Sequence, residues 1–230
     1  MTTVAPSTPS RSAFPLWLKL AYTLFLCVLV AVYWPAYGPA NFLWFCDAAA
    51  IVTGLALWLQ SPLLAGSQAV AMTISQTVWT LDFLTGGRLL GISAYMFDRN
   101  IHLYVRALST FHLWLPFLLL WMVWRLGYDR WSVWLQTFLC GAVLIASFLL
   151  TDPRQPRRGY PYESVNVNRV FGLQPVTVQH GMPPVAYLAL QIVLYPLCVY
   201  WPTHLVFKRI FGEPRRLESA RSPLNVMEPR

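Results

Sequence analysis

The apolar positions of this chain fall into six long stretches, separated by segments that are polar or rich in glycine and proline. The stretches cover roughly residues 16–35, 42–60, 63–84, 107–126, 131–150 and 185–207. A helix needs about 20 mostly apolar residues to cross the hydrocarbon core of a bilayer, and each stretch is close to that length. The pattern therefore predicts an all-α, polytopic membrane protein built as a six-transmembrane-helix bundle.

The two ends of the chain differ from these stretches. Residues 1–14 are rich in Ser, Thr and Pro, and residues 210–230 are polar and basic. Such segments contain too little apolar surface to fold alone. We expect a disordered N-terminal tail at 1–14, a six-helix transmembrane domain at 15–209 and a basic cytoplasmic tail at 210–230. The first stretch is longer than the apolar core of a cleaved signal peptide, so we expect it to be retained as a helix.

Composition and charge agree with a membrane protein. Hydrophobic residues make up 57% of the chain and charged residues only 11%, whereas soluble domains contain about 25% charged residues. Six crossings would place ten of the 17 Lys and Arg residues on the side of both termini and seven on the other side. The positive-inside rule then predicts a multi-pass protein of the cell membrane with both termini cytoplasmic.

The same charge distribution suggests the partners. The net charge of +8 arises from loops and tails, where basic side chains meet the anionic headgroups of membrane lipids. We therefore expect membrane lipids as partners, and we expect no nucleic acid. The four cysteines all fall inside apolar stretches without a pairing pattern, so no disulfide framework is predicted. No cofactor is predicted either.

Unusual polar side chains concentrate at the end of the predicted bundle that faces away from the termini. Cys46 and Asp47 lie about one turn inside the second stretch, Asp82 lies near the end of the third, and His112 lies near the start of the fourth. A charged residue at bilayer depth costs about 3 kcal/mol, so it is expected to be paired or used. The segments around the stretches bring further polar residues to this end: Asn41, Arg106, Asn166, Asn168, Arg169 and His180.

Helical geometry indicates which way the second stretch faces. At about 100° per residue, Cys46 and Asp47 lie beside a stripe of small residues, Ala49, Ala50, Thr53 and Gly54. Small residues are typical of packed helix interfaces in membranes. We therefore expect both polar side chains to face neighbouring helices, with Asp47 paired to an arginine of a long loop, Arg106 or Arg169.

Four segments together resemble a known family. FLWFCDAAAIVTGLALWL, the pair His112 and Pro116, NVNRVFG, and GMPPVAYLALQIVLYP occur in the order seen in the YwaF-like family of integral membrane proteins, over about residues 40–200. Some eukaryotic members are described as membrane phospholipid acyltransferases. The resemblance implies that Cys46 and His112 form a catalytic pair, with Asn168 beside them and Asn166 as a neighbour. The chain departs from the family pattern before the cysteine and at Arg169.

The implied reaction is acyl transfer to a lipid, in a cavity open to the outer face. A cysteine becomes a useful nucleophile when a histidine takes its proton, and Asn168 could orient the histidine or bind an oxyanion. Two other functions fit the same residues. One is a non-enzymatic binding or scaffold protein in which the polar residues bind a ligand or hold helices together: Asn41, Asp47, Asp82, Arg106, Asn166, Arg169 and His180.

The other alternative is a metal-binding membrane protein. Carboxylate and imidazole groups are ordinary ligands of zinc and iron, so Asp47, Asp82, His112 and His180 are the candidates. The chain contains no short ligand spacing such as HxxxH or ExxH. No metal is therefore predicted, and the enzymatic and non-enzymatic functions both stay open.

Overall fold

The computed structural model describes residues 12–155 and 158–213, and within these ranges the chain forms helices and connecting turns. Eight α-helices are described: α1 Leu16–Tyr37, α2 Phe45–Leu59, α3 Pro62–Leu84, α4 Leu103–Leu108, α5 Phe111–Leu126, α6 Ser132–Leu150, α7 Pro184–Tyr195 and α8 Trp201–Ile210. Short turns precede or join them at Pro39–Leu43, Ala94–Phe97, Val167–Arg169 and Pro196–Tyr200. The all-α class is confirmed. The tails expected at 1–14 and 210–230 lie almost entirely outside the described residues.

Four helical segments are long and apolar enough to cross a membrane. They are Leu16–Tyr37, Leu103–Leu126, Ser132–Leu150 and Pro184–Ile210. The helix α2 is apolar but only 15 residues long. The helix α3 has 23 residues but carries several Gln, Ser and Thr side chains, which make it less apolar than the others.

Two of the stretches expected to be continuous helices are divided. The fourth is preceded by α4, and a turn at Ser109 and Thr110 separates α4 from α5. The sixth widens into a π-helical turn at Pro196–Tyr200, between α7 and α8. Pro196 has no N–H group for a helical hydrogen bond, and its ring crowds the preceding turn. The local π geometry absorbs this disruption without ending the helix.

The hydrogen bonds between elements define two ends of the bundle. At one end, Asn168 accepts from the Phe45 N–H at the start of α2 (3.1 Å), and Tyr33 of α1 bonds Ser109 before α5 (2.6 Å). We call this the loop end. At the other, Arg125 donates to the Ala13 carbonyl (3.1 Å) and the Tyr128 N–H donates to the Gly212 carbonyl (3.0 Å). We call this the terminal end, because it carries both ends of the described chain.

The least apolar long helix, α3, lies at the centre of the bundle and packs against α2, α5 and α6. Its buried side includes Gly66, where an added Cβ would collide with Ser132 of α6. Gln68 of α3 donates to Gln136 of α6 (3.3 Å) in the interior. Large apolar side chains on α1 and α6 point outward instead, including Leu24 and Phe138. Several polar side chains of α3 are therefore surrounded by protein, and large apolar side chains of α1 and α6 form part of the outer surface.

Candidate functional site

The start of α2 carries a buried carboxylate with only one side-chain hydrogen bond. Asp47 is 3% exposed, and its Oδ2 accepts from Asn41 Nδ2 at 2.9 Å. Its Oδ1 is buried without a hydrogen-bond partner. Asp47 is the third residue of α2, where the partial positive charge of a helix N-terminus favours a carboxylate. The helix dipole compensates part of the charge, and one oxygen keeps its full acceptor capacity.

The expected arginine partner of Asp47 is absent. The described residues contain one ion pair, between Asp152 and Arg154. Arg106 instead donates to the Met96 carbonyl (2.7 Å), and Arg169 lies 6.0 Å from the centre of the Trp44 ring. The expectation of an arginine bound to Asp47 is therefore wrong. Both arginines do lie at the loop end, but Arg106 holds the Ala94–Phe97 turn and Arg169 stacks on an aromatic side chain.

Three tyrosines lie near Asp47 at the loop end. Asp47 lies close enough to Tyr33, Tyr37 and Tyr95 for its charge to act on their hydroxyl groups. Burial raises the pKa of Tyr95, in the Ala94–Phe97 turn, and Cys46 and Asp47 raise it further. The Tyr95 hydroxyl therefore stays protonated at neutral pH. Sequence analysis overlooked these tyrosines, although Tyr33 and Tyr37 are one helical turn apart and so share a face of α1.

Cys46 and His112, the pair implied by the family resemblance, are not hydrogen-bonded to each other among the described contacts. Cys46 is half-buried and free of disulfide bonding. His112 is buried, its Nδ1 lies 2.6 Å from the Ser109 carbonyl, and its ring stacks on Trp79 at 4.5 Å. Because a carbonyl can only accept, Nδ1 carries the proton. The other ring nitrogen, Nε2, is then the basic one in the neutral ring.

Asn168 holds the start of α2 in place. Its Oδ1 accepts from the Phe45 N–H (3.1 Å), and its Nδ2 donates to the Leu43 carbonyl (2.6 Å) and to Ser147 Oγ (3.0 Å). Its backbone has a φ of 51°, a conformation that Asn adopts more readily than most residues. Both ends of the Asn168 amide are thus used in joining the Val167–Arg169 turn to α2 and α6.

Asn166 organises the same loop from within. Its Oδ1 accepts from the Phe171 N–H (3.0 Å), and its Nδ2 donates to the carbonyls of Gly172 (3.0 Å) and Gln174 (2.8 Å). Asn166 is fully buried. Both asparagines therefore satisfy backbone groups that would otherwise be buried without partners.

Asp82, at the end of α3, is the most completely bonded carboxylate at the loop end. Its Oδ1 accepts from the N–H groups of Leu90 (2.6 Å) and Gly91 (3.2 Å). Its Oδ2 accepts from the N–H and the hydroxyl of Ser93, both at 2.7 Å. Asp82 is fully buried. These bonds fold the chain after α3 back over the carboxylate.

The structure places His180 away from this cluster. His180 is exposed and lines an open depression of about 590 Å³ with Arg154, Gln179 and Met182, to which neither Asp47 nor His112 contributes. In the ranges 12–155 and 158–213, no three His, Cys, Asp or Glu side chains lie close enough together to hold a metal ion. The four residues considered as metal ligands thus belong to separate environments.

The site that emerges is the group of Asn41, Cys46, Asp47 and the tyrosines at the loop end. Asn166, Asn168 and Asp82 support it by fixing the adjoining loops, through the hydrogen bonds given above. No family model, curated protein or solved structure matches this chain.

Proposed function

We propose that this chain is an integral protein of the cell membrane that crosses the bilayer six times, with both termini in the cytoplasm. Support comes from the positions of Ala13 and Gly212 at the terminal end: Ala13 accepts from Arg125 in the last turn of α5, and Gly212 accepts from Tyr128 just after α5. An even number of crossings requires this arrangement. In this topology α3 crosses at the centre of the bundle, where its polar side chains contact protein rather than lipid.

The topology is tested by labelling single cysteines from either side of intact cells. A cysteine introduced at Thr177, in the exposed part of the loop before α7, should react with an impermeant maleimide from outside. A cysteine at Asp129, between α5 and α6, should react only after the membrane is opened. Labelling of Thr177→Cys only from the cytoplasmic side would contradict the proposed orientation.

We propose further that the protein is a non-enzymatic binding protein whose site is the tyrosine-lined carboxylate at the loop end. The single observation behind this proposal is the Asp47 Oδ1 atom, which is buried without a partner. Ionisable side chains inside membrane bundles are rare and costly and typically mark a functional site. By contrast, the side chains of the neighbouring polar residues Asp82, Asn166 and Asn168 form most of their hydrogen bonds with backbone groups. Among these four residues, Asp47 is the one that keeps an unused acceptor for a ligand.

Native mass spectrometry of the purified protein tests the binding function. Wild type should carry a bound small molecule or lipid at a stoichiometry near one, and Asp47→Asn should lose it. The substitution preserves the shape of the side chain and an oxygen for the bond from Asn41. Asp98→Asn is the matched control, because Asp98 is exposed at the same end and its side chain accepts, among the described contacts, from Asn100 alone. Equal occupancy in wild type and Asp47→Asn would refute the function.

A second candidate function is acyl transfer to a membrane lipid, with Cys46 as nucleophile and membership of the YwaF-like family. It is favoured by His112, whose Nδ1 is held by the Ser109 carbonyl, so that Nε2 is left as a base. The Cys46 sulfur would attack an acyl ester and pass its proton to His112, and the leaving alcohol would take that proton, which leaves a thioester on Cys46. The hydroxyl group of the acceptor lipid would then attack the thioester and give its proton to His112, which returns it to the departing Cys46 thiolate. The side chains would have to approach each other first, because no hydrogen bond joins them in the described structure.

Labelled phospholipids distinguish the two candidates. Catalysis by Cys46 predicts that Cys46→Ala and His112→Ala each abolish transfer of the acyl group while the protein remains folded in the membrane. Cys140→Ala, which removes a buried thiol within α6, is the matched control and should retain full transfer. Absence of transfer in wild type, or equal transfer in Cys46→Ala, would leave binding as the better function.

A further inference from the structure

The loop-end site holds a buried carboxyl group that forms no ion pair with a described cation. Asp47 is buried, and the one ion pair of the described ranges lies elsewhere, between Asp152 and Arg154. The charge of Arg106 reaches Tyr37 of this group, but its guanidinium is bound to the Met96 carbonyl. Burial disfavours the ionised form of a carboxyl group that has no cationic partner. A positive species beside Asp47 Oδ1 would offset that cost.

Aromatic rings form the other walls of the site. The rings of Tyr33 and Tyr37 lie 5.1 Å apart at an angle of 81°, and those of Tyr37 and Tyr162 lie 5.8 Å apart. Tyr95 belongs to the same group through its proximity to Cys46 and Asp47. The faces of aromatic rings attract cations, most strongly where water is excluded. A carboxylate with tyrosine rings around it is the usual composition of a binding site for an organic cation.

Exposure indicates where a ligand would enter. Tyr33 is buried, whereas Tyr37, Tyr95 and Tyr162 are only half-buried. The side of the site formed by these three rings belongs to α1 and to the loops before α4 and α7. The route therefore leads from the loop end, between the Ala94–Phe97 turn and the segment around Tyr162.

We propose that this site binds a protonated amine, an alkylammonium cation with at least one N–H group. The inference rests on the proposed binding function and specifies its ligand. The N–H group would donate to Asp47 Oδ1, the one buried carboxylate oxygen without a partner. The positive charge would neutralise Asp47, and the carbon substituents would lie against the tyrosine rings. A quaternary ammonium group could contact the tyrosine rings and neutralise the Asp47 charge, but it has no N–H group to donate to Oδ1.

A metal cation fits this environment less well. Zinc needs several thiolate, imidazole or carboxylate ligands, and calcium and magnesium need several oxygen ligands. No three His, Cys, Asp or Glu side chains converge in the described ranges. The alkylammonium group could come from a lipid headgroup or from a free amine. Both sources present the same chemistry to Asp47.

The experiment uses the full-length protein in nanodiscs of phosphatidylcholine at pH 7.5 and measures the midpoint of thermal unfolding. Methylammonium chloride is the probe, and tetramethylammonium chloride and potassium chloride are compared at equal ionic strength. Methylammonium should raise the wild-type midpoint by about 2–4 °C at saturation, and the other salts should raise it clearly less. Asp47→Asn should abolish the shift, and the control Asp98→Asn should retain it.

A second variant keeps the test independent of folding defects in Asp47→Asn. Tyr37→Leu removes an aromatic wall but leaves the carboxylate, so it should reduce the methylammonium shift without abolishing it. Nanodiscs of phosphatidylethanolamine distinguish the sources of the amine. A headgroup ligand would raise the wild-type midpoint in this lipid and remove the response to methylammonium, whereas a free amine would leave that response unchanged. Either result supports the proposed chemistry.

Other outcomes overturn the amine proposal. Equal shifts with potassium and methylammonium, or an unchanged shift in Asp47→Asn and Tyr37→Leu, would exclude an alkylammonium site. If wild type then still carried a ligand by mass spectrometry that Asp47→Asn lacked, the binding function would stand with a different ligand. If wild type and Asp47→Asn also carried the same bound ligand, both the binding function and the amine proposal would be refuted.

Discussion

Two buried carboxylates at the loop end differ in how completely they are bonded. Asp82 is fully buried and Asp47 is 3% exposed. Asp82 accepts four hydrogen bonds, three from backbone N–H groups and one from a hydroxyl. Asp47 accepts one side-chain hydrogen bond, from Asn41. Burial alone therefore does not separate the two carboxylates. Their unused acceptor capacity does, and it is the reason for proposing a binding role for Asp47 rather than for Asp82.

The positions of the two residues in their helices explain the difference. Asp82 lies in the last turn of α3, where the helix dipole disfavours a negative charge. The chain compensates by folding back at Gly86 and Gly87, both with a φ of 73°, so that N–H groups of the loop reach the carboxylate. Asp47 lies in the first turn of α2, where the dipole already favours it. The helix dipole therefore stabilises the Asp47 carboxylate with fewer hydrogen-bond donors than Asp82 requires.

The largest expected effect comes from removing the carboxylate of Asp82. Asp82→Ala would leave the N–H groups of Leu90, Gly91 and Ser93 without their acceptor. Hydrogen bonds to a charged group contribute about 1.5–3 kcal/mol each, and buried donors left unpaired add to the loss. We expect a loss of about 3 kcal/mol or more in the free energy of unfolding, measured by chemical denaturation in detergent. An undisturbed Asp82→Ala protein would contradict the structural role.

The second effect concerns the support of the site from the α6–α7 loop. Asn168→Ala would remove the acceptor of the Phe45 N–H and the donor to Leu43 and Ser147. It would also place Ala at a φ of 51°, which is unfavourable for a residue with a Cβ. We expect a loss of about 2 kcal/mol. Asn168→Gly restores the backbone freedom but not the bonds, so it should be less destabilised than Asn168→Ala.

The third prediction separates the two carboxylates directly. Asp47→Asn should change the free energy of unfolding by less than about 1 kcal/mol, because it retains the bond from Asn41 and removes an unpaired buried charge. The same substitution should abolish ligand binding. Unfolding and binding are measured on one preparation, beside Asp82→Asn. A larger loss of stability in Asp47→Asn than in Asp82→Asn would reverse the roles assigned to the two residues.

Apolar patterning predicted the helices well, because a helix that contacts lipid needs apolar residues along its own length, and this requirement is visible in the local sequence. The stretch at 63–84 coincides almost fully with α3, and the stretch at 131–150 with α6. The break before α5 and the turn at Pro196 were not predicted, since they depend on local geometry within apolar sequence. Patterning also grouped the candidate site residues at one end correctly for Asp47, Asp82 and Asn168.

The individual roles of these residues could not be obtained from patterning. Asn168 and Phe45 are 123 positions apart in the chain, so their contact depends on the tertiary fold. The partners of Asp82 are mostly backbone N–H groups, and residue types do not indicate which of these groups will bind a carboxylate. The expected pairing of Asp47 with an arginine failed for a related reason. Asn41, six positions earlier, supplies the donor, and Arg106 is held by a backbone carbonyl that sequence does not mark as an acceptor.

The smallest expected effect lies at a third carboxylate, outside the helices. Asp152 follows α6 and forms an ion pair with Arg154 (2.8 Å), whose side chain is 65% exposed. The hydrogen bond from Arg154 lowers the pKa of Asp152. A carboxyl group with a lower pKa in the folded state stabilises the fold above its unfolded pKa, and this contribution disappears as the pH falls through the folded value. Exposed ion pairs contribute little because water and salt screen them.

Comparison of wild type with Asp152→Asn should therefore show a small difference in unfolding midpoint, at most about 1 °C at pH 7. The difference should vanish in the acidic range below the ordinary aspartate pKa of about 4, and it should shrink in high salt. Glu163, a buried carboxylate of the same loop whose side chain accepts from the Arg158 N–H, provides the contrast. Glu163→Gln should lower the midpoint more than Asp152→Asn, because the Glu163 side chain is more buried than that of Asp152. The opposite order would mean that exposure does not separate weak from strong carboxylate contacts in this protein.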